Sequence, residues 1–164
     1  MPPLSPGVAP DQFRQLLGRF ATGVTVLTTR APGGGEPIGM TASSVASVSL
    51  HPPLVLVSVD KVHDMHPALE AASHFILNVL AATQEALSRR FAETEGDRFA
   101  GVGYRPNKQG IAILDGVVAH VECEKQTTLA AGDHTVFVGL VVGGAVSERR
   151  PLLYYRGGYA GLRE

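Results

Sequence analysis

The stretch GMTASSVASVSLHPPLVLVSVDK, residues 39–61, decides how this chain is read. It sets a run of small and hydroxyl-bearing residues ahead of two prolines and a nearly pure aliphatic strand. A solvent-facing strand alternates apolar with large polar side chains, and a core strand carries Val, Ile or Leu; residues 41–44 do neither. So little side chain lets another strand, or a ligand, come close to the backbone.

On the N-terminal side, VTVLTT (24–29) reads as a strand and RAPGGGEP (30–37) as its turn, because three glycines and two prolines punctuate it. Before it, DQFRQLLGRFATG (11–23) spaces Phe13, Leu16, Leu17 and Phe20 at i, i+3, i+4 and i+7. This spacing predicts a helix with one buried face, capped by Asp11 and preceded by a mobile Pro-rich tail over residues 1–10. On the C-terminal side the pattern predicts a helix at 65–73, a strand at 74–80, a helix at 83–93 and a loop at 96–110. From Gly116 onward it is wholly β. Val117, Ala119, Val121 and Cys123 share one face, and His120, Glu122 and Glu124 share the other, which is expected to be wet. HTVFVGLVVGGAVS (134–147) is a long strand whose three glycines mark a bend or bulge. YYRGGY (154–159) is expected to close a barrel.

About seven strands and three short helices, mostly strand after strand, argue for a mainly β, antiparallel barrel in a single domain over residues 11–164. With 14 basic and 15 acidic side chains and a formal charge of -1, the chain lacks the electrostatic footprint of a nucleic-acid binder. Cys123 stands alone, so no intrachain disulfide forms. The first ten residues lack the pattern of a secretory signal, and the apolar runs fall short of the roughly 20 residues of a spanning helix. The expected setting is therefore cytoplasmic, without a membrane partner. Neither GxGxxG nor GxxxxGK[ST] occurs between a strand and a helix, so any nucleotide is held some other way.

Taken together, FATGVTVLTT (20–29), the 39–61 stretch, FILNVL (75–80), the RF and DRFAG pieces at 90–91 and 97–101, AAGDHTVFVG (130–139) and PLLYYRGGY (151–159) resemble the flavin reductase family with the FMN-binding split-barrel fold. The resemblance implies an antiparallel barrel of six to seven strands with a few short helices, forming a homodimer with flavin at or near the subunit interface. It implies an NAD(P)H:flavin oxidoreductase that passes hydride from NADH, or NADPH, to FMN or FAD and supplies reduced flavin to a flavin-dependent monooxygenase. Two other readings stand beside it. One is a flavin-binding or redox-sensing split barrel without NADH turnover; the other is a split-barrel oxidase acting on a pyridoxine-type or haem-type substrate.

By the same resemblance, Met40, Thr41, Ala42, Ser43 and Ser44 lie along the isoalloxazine ring, with Ser43 standing where the family often has Asn. Ser58, Val59, Asp60 and Lys61 hold the ribityl chain and phosphate, Lys61 as the neutralising cation. VHDMH (62–66) departs from the commoner pattern there, and the spacing of its two histidines and aspartate is not that of a metal site. Phe91 suits an aromatic ring and Arg98 a phosphate, although a helix with its phenylalanine turned inward explains Phe91 equally. His134 is expected to act at the nicotinamide pocket, bordered by Tyr155, Arg156, Gly157, Gly158 and Tyr159. Without the family, His134 is a turn residue and the tyrosines are barrel packing.

Overall fold

A computed structural model of the chain describes residues 5–93 and 95–163. The elements run α1 (Pro10–Leu17), β1 (Thr22–Gly23), β2 (Thr25–Arg30), β3 (Pro37–Ala42), β4 (Val45–Leu50), β5 (Pro53–Asp60), α2 (Met65–Ala71), β6 (His74–Val79) and α3 (Glu85–Ala92). They continue with β7 (Tyr104–Pro106), β8 (Ala112–Leu114), β9 (Ala119–Ala131), β10 (His134–Val146), β11 (Leu153–Tyr155) and β12 (Gly158–Ala160).

Seven strands pair antiparallel in the order β3-β2-β6-β9-β10-β5-β4. Its two edges, β3 and β4, are joined by Ser43 and Ser44 alone. At about 4.8 Å between neighbouring strands the edges of a flat sheet would lie roughly 29 Å apart, whereas a two-residue link reaches about 11 Å. The sheet therefore rolls until its edges meet, and the small-residue stretch is the seam. Ser44 fastens it: its hydroxyl donates to the Ser58 carbonyl at 2.9 Å and accepts the Ser58 N–H at 3.2 Å.

Curvature has a visible source in β10, where the register against β9 shifts between Val138 and Gly139 and again between Val141 and Gly143. A Cβ on Gly139 would lie 2.7 Å from Phe75 Cζ and 2.8 Å from Cys123 Cβ, so the bend brings backbone onto core. Inside the roll, Leu27, Val57, Met65, Leu69, Phe75 and Phe137 form the main core. A second cluster, including Val24, Val26, Leu80, Phe91 and Leu114, packs α3 against the outside.

Several expectations need correction. The apolar face of α1 is exposed in the single chain, Phe20 just beyond it being 73% exposed, and Asp11 makes no capping bond. The helix already begins at Pro10, while residues 1–4 of the expected mobile tail lie outside the described residues. Residues 104–114, of which 104–110 were expected to be loop, contain the β7–β8 hairpin, held by Ile76, Ile111 and Ile113 against the outer side of the sheet. His120, expected to be wet, is buried beside that hairpin. Residues 153–160 do not close the barrel: β11 and β12 form a separate three-stranded sheet with β1.

Candidate functional site

Along β3 the side chains alternate. Met40 and Ala42 turn into the barrel core, while Gly39 and Thr41 face α3. A Cβ on Gly39 would sit 2.9 Å from the Phe91 ring, and the Thr41 hydroxyl donates to the Ser88 carbonyl at 2.6 Å. At these positions the lack of side chain admits a helix. Ser43 and Ser44 are exposed at the seam, the Ser44 hydroxyl bonded to Ser58, and their main-chain groups lie outside both flanking ladders.

The end of β5 follows the same alternation. Val59 is fully buried in the core, so the contact expected of it is left to its backbone, whereas Ser58 and Asp60 face outward. Across the ladder His134 stands opposite Asp60, and Val136 opposite Ser58. The two-residue turn Gly132–Asp133 joins β9 to β10, with Gly132 at φ 63°, as a hairpin of this length requires. Lys61 grips that turn: its Nζ donates to the Gly132 carbonyl at 2.7 Å and its N–H to the Asp133 carbonyl at 3.0 Å. His134 Nδ1 lies 2.7 Å from Asp133 Oδ1, and this hydrogen bond holds the Asp133 carboxyl below its ordinary range. With Nδ1 engaged as donor, Nε2 of the neutral ring is left as an acceptor on a side chain 42% exposed.

Two expected contacts are overturned by burial. Phe91 has no exposed surface; it packs under Gly39 and edge-on to Phe99, 4.9 Å between ring centres, and offers no face to a ligand. The Arg98 side chain is only 7% exposed and its donors are committed within the protein. Nε donates to the Glu93 carbonyl at 2.6 Å, Nη1 to the Gly39 carbonyl at 3.0 Å, and the two terminal nitrogens to the Asp64 carboxylate at 3.2 and 3.0 Å. Arg98 is thus a tie between β3, the end of α3 and the loop that leaves Lys61. Beside it, His63 is held below its ordinary value of 6.5, first by burial and further by Arg98, against the pull of Asp64.

At the opposite end of the segment, Arg156 (φ 52°) and Gly157 (φ 77°) form the two-residue turn of the β11–β12 hairpin, both in the left-handed region that such turns demand. The Arg156 N–H donates to the Gly18 carbonyl at 2.9 Å, which docks the turn on the end of α1. Tyr159 shares a hydrogen bond with Ser88 at 2.8 Å and lies under the Arg89 guanidinium at 4.8 Å; Gly158 pairs with the exposed Tyr155. Ser88 therefore joins Thr41 on the seam strand to Tyr159 on the hairpin. Ser88 does not stand out in the sequence, and Asp64 does so only as part of VHDMH, because each takes its role from partners far along the chain; nothing local marks Gly39 as a helix seat. Among the described residues no group of three or more His, Cys, Asp or Glu is placed to hold a metal.

The chain matches the model of the flavin reductase like domain over residues 17–163. The reductase subunit HsaB of a flavin-dependent monooxygenase from Mycobacterium tuberculosis is 40% identical over 164 residues, spanning 97% of this chain and 86% of that protein. The FMN reductase (NADH) SmoA of Agrobacterium fabrum is 44% identical over 147 residues, 90% of this chain and 83% of that one. Among solved structures, the NADH:FAD oxidoreductase SgcE6 of Streptomyces globisporus, in complex with NAD and FAD fragments, superposes with a TM-score of 0.88 at 40% identity, covering 97% of this chain and 98% of its own. With a match that spans nearly every element of the rolled sheet, the chain belongs to the flavin reductase family.

Proposed function

We infer that the protein is an NADH:flavin oxidoreductase that passes hydride from NADH to FMN or FAD and delivers reduced flavin to a partner monooxygenase. The observation that carries this reading is the convergence of three segments of a flavin reductase chain. The open seam at Ser43 and Ser44 is fastened to β5 at Ser58, and His134 stands beside Asp60 and Lys61. Relatives named as NADH-dependent flavin reductases and as reductase subunits of monooxygenases support it.

A bound flavin supplies the hydride acceptor, so the protein needs to orient and hold rather than to donate protons. The main-chain groups of Ser43 and Ser44 and the Ser43 hydroxyl suit the polar edge of a flat ring, while the Ser44 hydroxyl is engaged by Ser58 on β5. Lys61, fixed at the hairpin turn, and the outward hydroxyl of Ser58 suit the ribityl and phosphate end. His134 offers Nε2 to the nicotinamide side. Since hydride transfer requires no general acid, its role is binding.

The same reading makes the protein a homodimer. Phe13, Leu16 and Leu17 on α1 and Leu50 on β4 are exposed apolar groups that a second copy would cover. Among the described residues no helix is long and apolar enough to cross a membrane, and a reaction that draws on NADH suits a cytoplasmic setting, where NADH is regenerated.

Anaerobic NADH oxidation with FMN, FAD, riboflavin or no flavin is the test. Rapid oxidation that depends on flavin, with reduced flavin appearing in solution, supports the reading. Consumption at the protein-free rate with all three flavins at saturation sinks it, and leaves flavin binding without turnover as the alternative.

A further inference from the structure

A groove of about 290 Å³ lies between the end of α1 and the β11–β12 turn, walled by Arg14, Gln15, Gly18, Arg19, Arg156 and Gly157. Three guanidinium-bearing side chains meet there and, among the described residues, no carboxylate lines it, in a chain whose formal charge is -1. Arg14 has a partner in Asp11 at 2.7 Å, but both are largely exposed and such a pair holds weakly. Arg19 and Arg156 face no acid within ion-pair distance among the described residues.

A cation at a helix C-terminus complements the macrodipole, which accounts for Arg14 and Arg19. It does not account for Arg156, which belongs to another element and occupies a left-handed turn position that Asn or Gly would take with less strain. The groove is also built rather than incidental. The turn is locked to the helix end by the Arg156 N–H on the Gly18 carbonyl, and a Cβ on Gly18 would already touch Arg156 Cα at 3.7 Å. The carbonyls that would repel an anion are occupied: those of Arg14, Leu16, Leu17 and Gly18 accept from Gly18, Arg19, Phe20 and Arg156. Arg14, Gln15 and Gly18 lie on the side of α1 away from Phe13, Leu16 and Leu17, so a subunit covering the apolar side leaves the groove open.

We propose that this groove is a phosphate subsite that takes the pyrophosphate–adenosine arm of a dinucleotide. The proposal rests on the reading of the protein as an NADH:flavin oxidoreductase. Guanidinium groups match phosphate oxygens in geometry and charge. The volume is just under the roughly 300 Å³ at which pockets for whole ligands begin, and so suits one arm of a larger molecule. The groove is also joined to the flavin seam by a short path: the turn runs into Tyr159, Tyr159 meets Ser88, and Ser88 holds Thr41.

NADH and FAD both carry such an arm, and each has a counterpart without it. Equilibrium titrations of wild type and of an Arg19→Gln, Arg156→Asn double variant would use NADH against reduced nicotinamide mononucleotide, and FAD against FMN. Asn keeps the left-handed turn; Arg156→Gly with Arg19→Gln serves as a second background if the first folds poorly. The expected result is affinity lowered on the order of tenfold for one dinucleotide and unchanged for its mononucleotide. A loss confined to NADH assigns the arm to the nicotinamide dinucleotide, and one confined to FAD assigns it to the flavin. Equal losses within each pair, or no loss, overturn the proposal. Because titration needs no turnover, it remains decisive even if wild type fails to oxidise NADH, a failure that would instead sink the reductase reading.

Discussion

Arg98 and Arg156 show how differently the same side chain is used in two regions of one molecule. Arg98 is almost wholly buried, carries four hydrogen bonds and connects segments that sequence alone would place in separate elements. Arg156 sits on an exposed turn, in a strained backbone conformation, with no acid within ion-pair distance among the described residues. Burial with satisfied donors makes an arginine a structural tie, and exposure with free donors makes it available to a ligand. Residue type told nothing about which was which.

The sharpest way to break this contrast is Arg98→Ala. It strands the Gly39 and Glu93 carbonyls and the Asp64 carboxylate, and removing one partner of a buried pair costs about 3 to 5 kcal/mol. Asp64 is half exposed, which places the expected loss at the lower end, about 3 kcal/mol, read from urea unfolding. Flavin binding should weaken with it, because the seam strand and the loop after Lys61 both lose their anchor. A variant with unchanged stability but lost flavin binding would restore Arg98 as a direct ligand contact.

His134→Ala tests the exposed class. It should raise the Michaelis constant for NADH by an apparent 1 to 2 kcal/mol, one hydrogen bond to the cofactor, with little change in flavin affinity. Steady-state kinetics and flavin fluorescence on the same variant read both halves. Lost flavin binding with an unchanged constant for NADH would move His134 to the flavin side, which its position opposite Asp60 makes a real alternative.

Arg156→Asn sharpens the contrast from the other direction. Relief of the left-handed strain should leave stability unchanged or raise it by up to about 1 kcal/mol, opposite in sign to Arg98→Ala. A marked fall in melting temperature would mean that Arg156 is itself a tie.

The smallest effect is expected at His63, which shares the buried environment of Arg98. Its folded value lies below the ordinary 6.5, so the unfolded chain binds the proton more readily. Stability from this group is therefore full above pH 6.5 and is lost as the pH falls from there toward the folded value. Protonation at Nδ1 would also remove the bond it accepts from the Met65 N–H at 3.0 Å. Denaturation between pH 7.5 and 5 should show a shallower decline in His63→Gln than in wild type; parallel curves would place the acid sensitivity elsewhere.

The legible parts of this protein were those in which neighbours in sequence are neighbours in space. The aliphatic run gave β5 as a strand, spacing gave α1 and α3, and the glycines of 134–147 marked the bulges of β10. The ordered set of short segments was enough to point to the flavin reductase family. The tertiary structure alone decided what those elements meet. Ser43 and Ser44 became a seam only because β3 and β4 stand at opposite edges of a rolled sheet, and Gly39 a helix seat only because α3 folds back over it. The apolar stripe of α1 was read correctly as a stripe, but no periodicity states what covers it. Arg98 meets Asp64 across 34 residues and Gly39 across 59, and the 153–160 hairpin left the barrel to pair with β1. Periodicity reports which face of an element is apolar; strand order and the partners of a buried charge depend on contacts between distant segments, which leave no local trace.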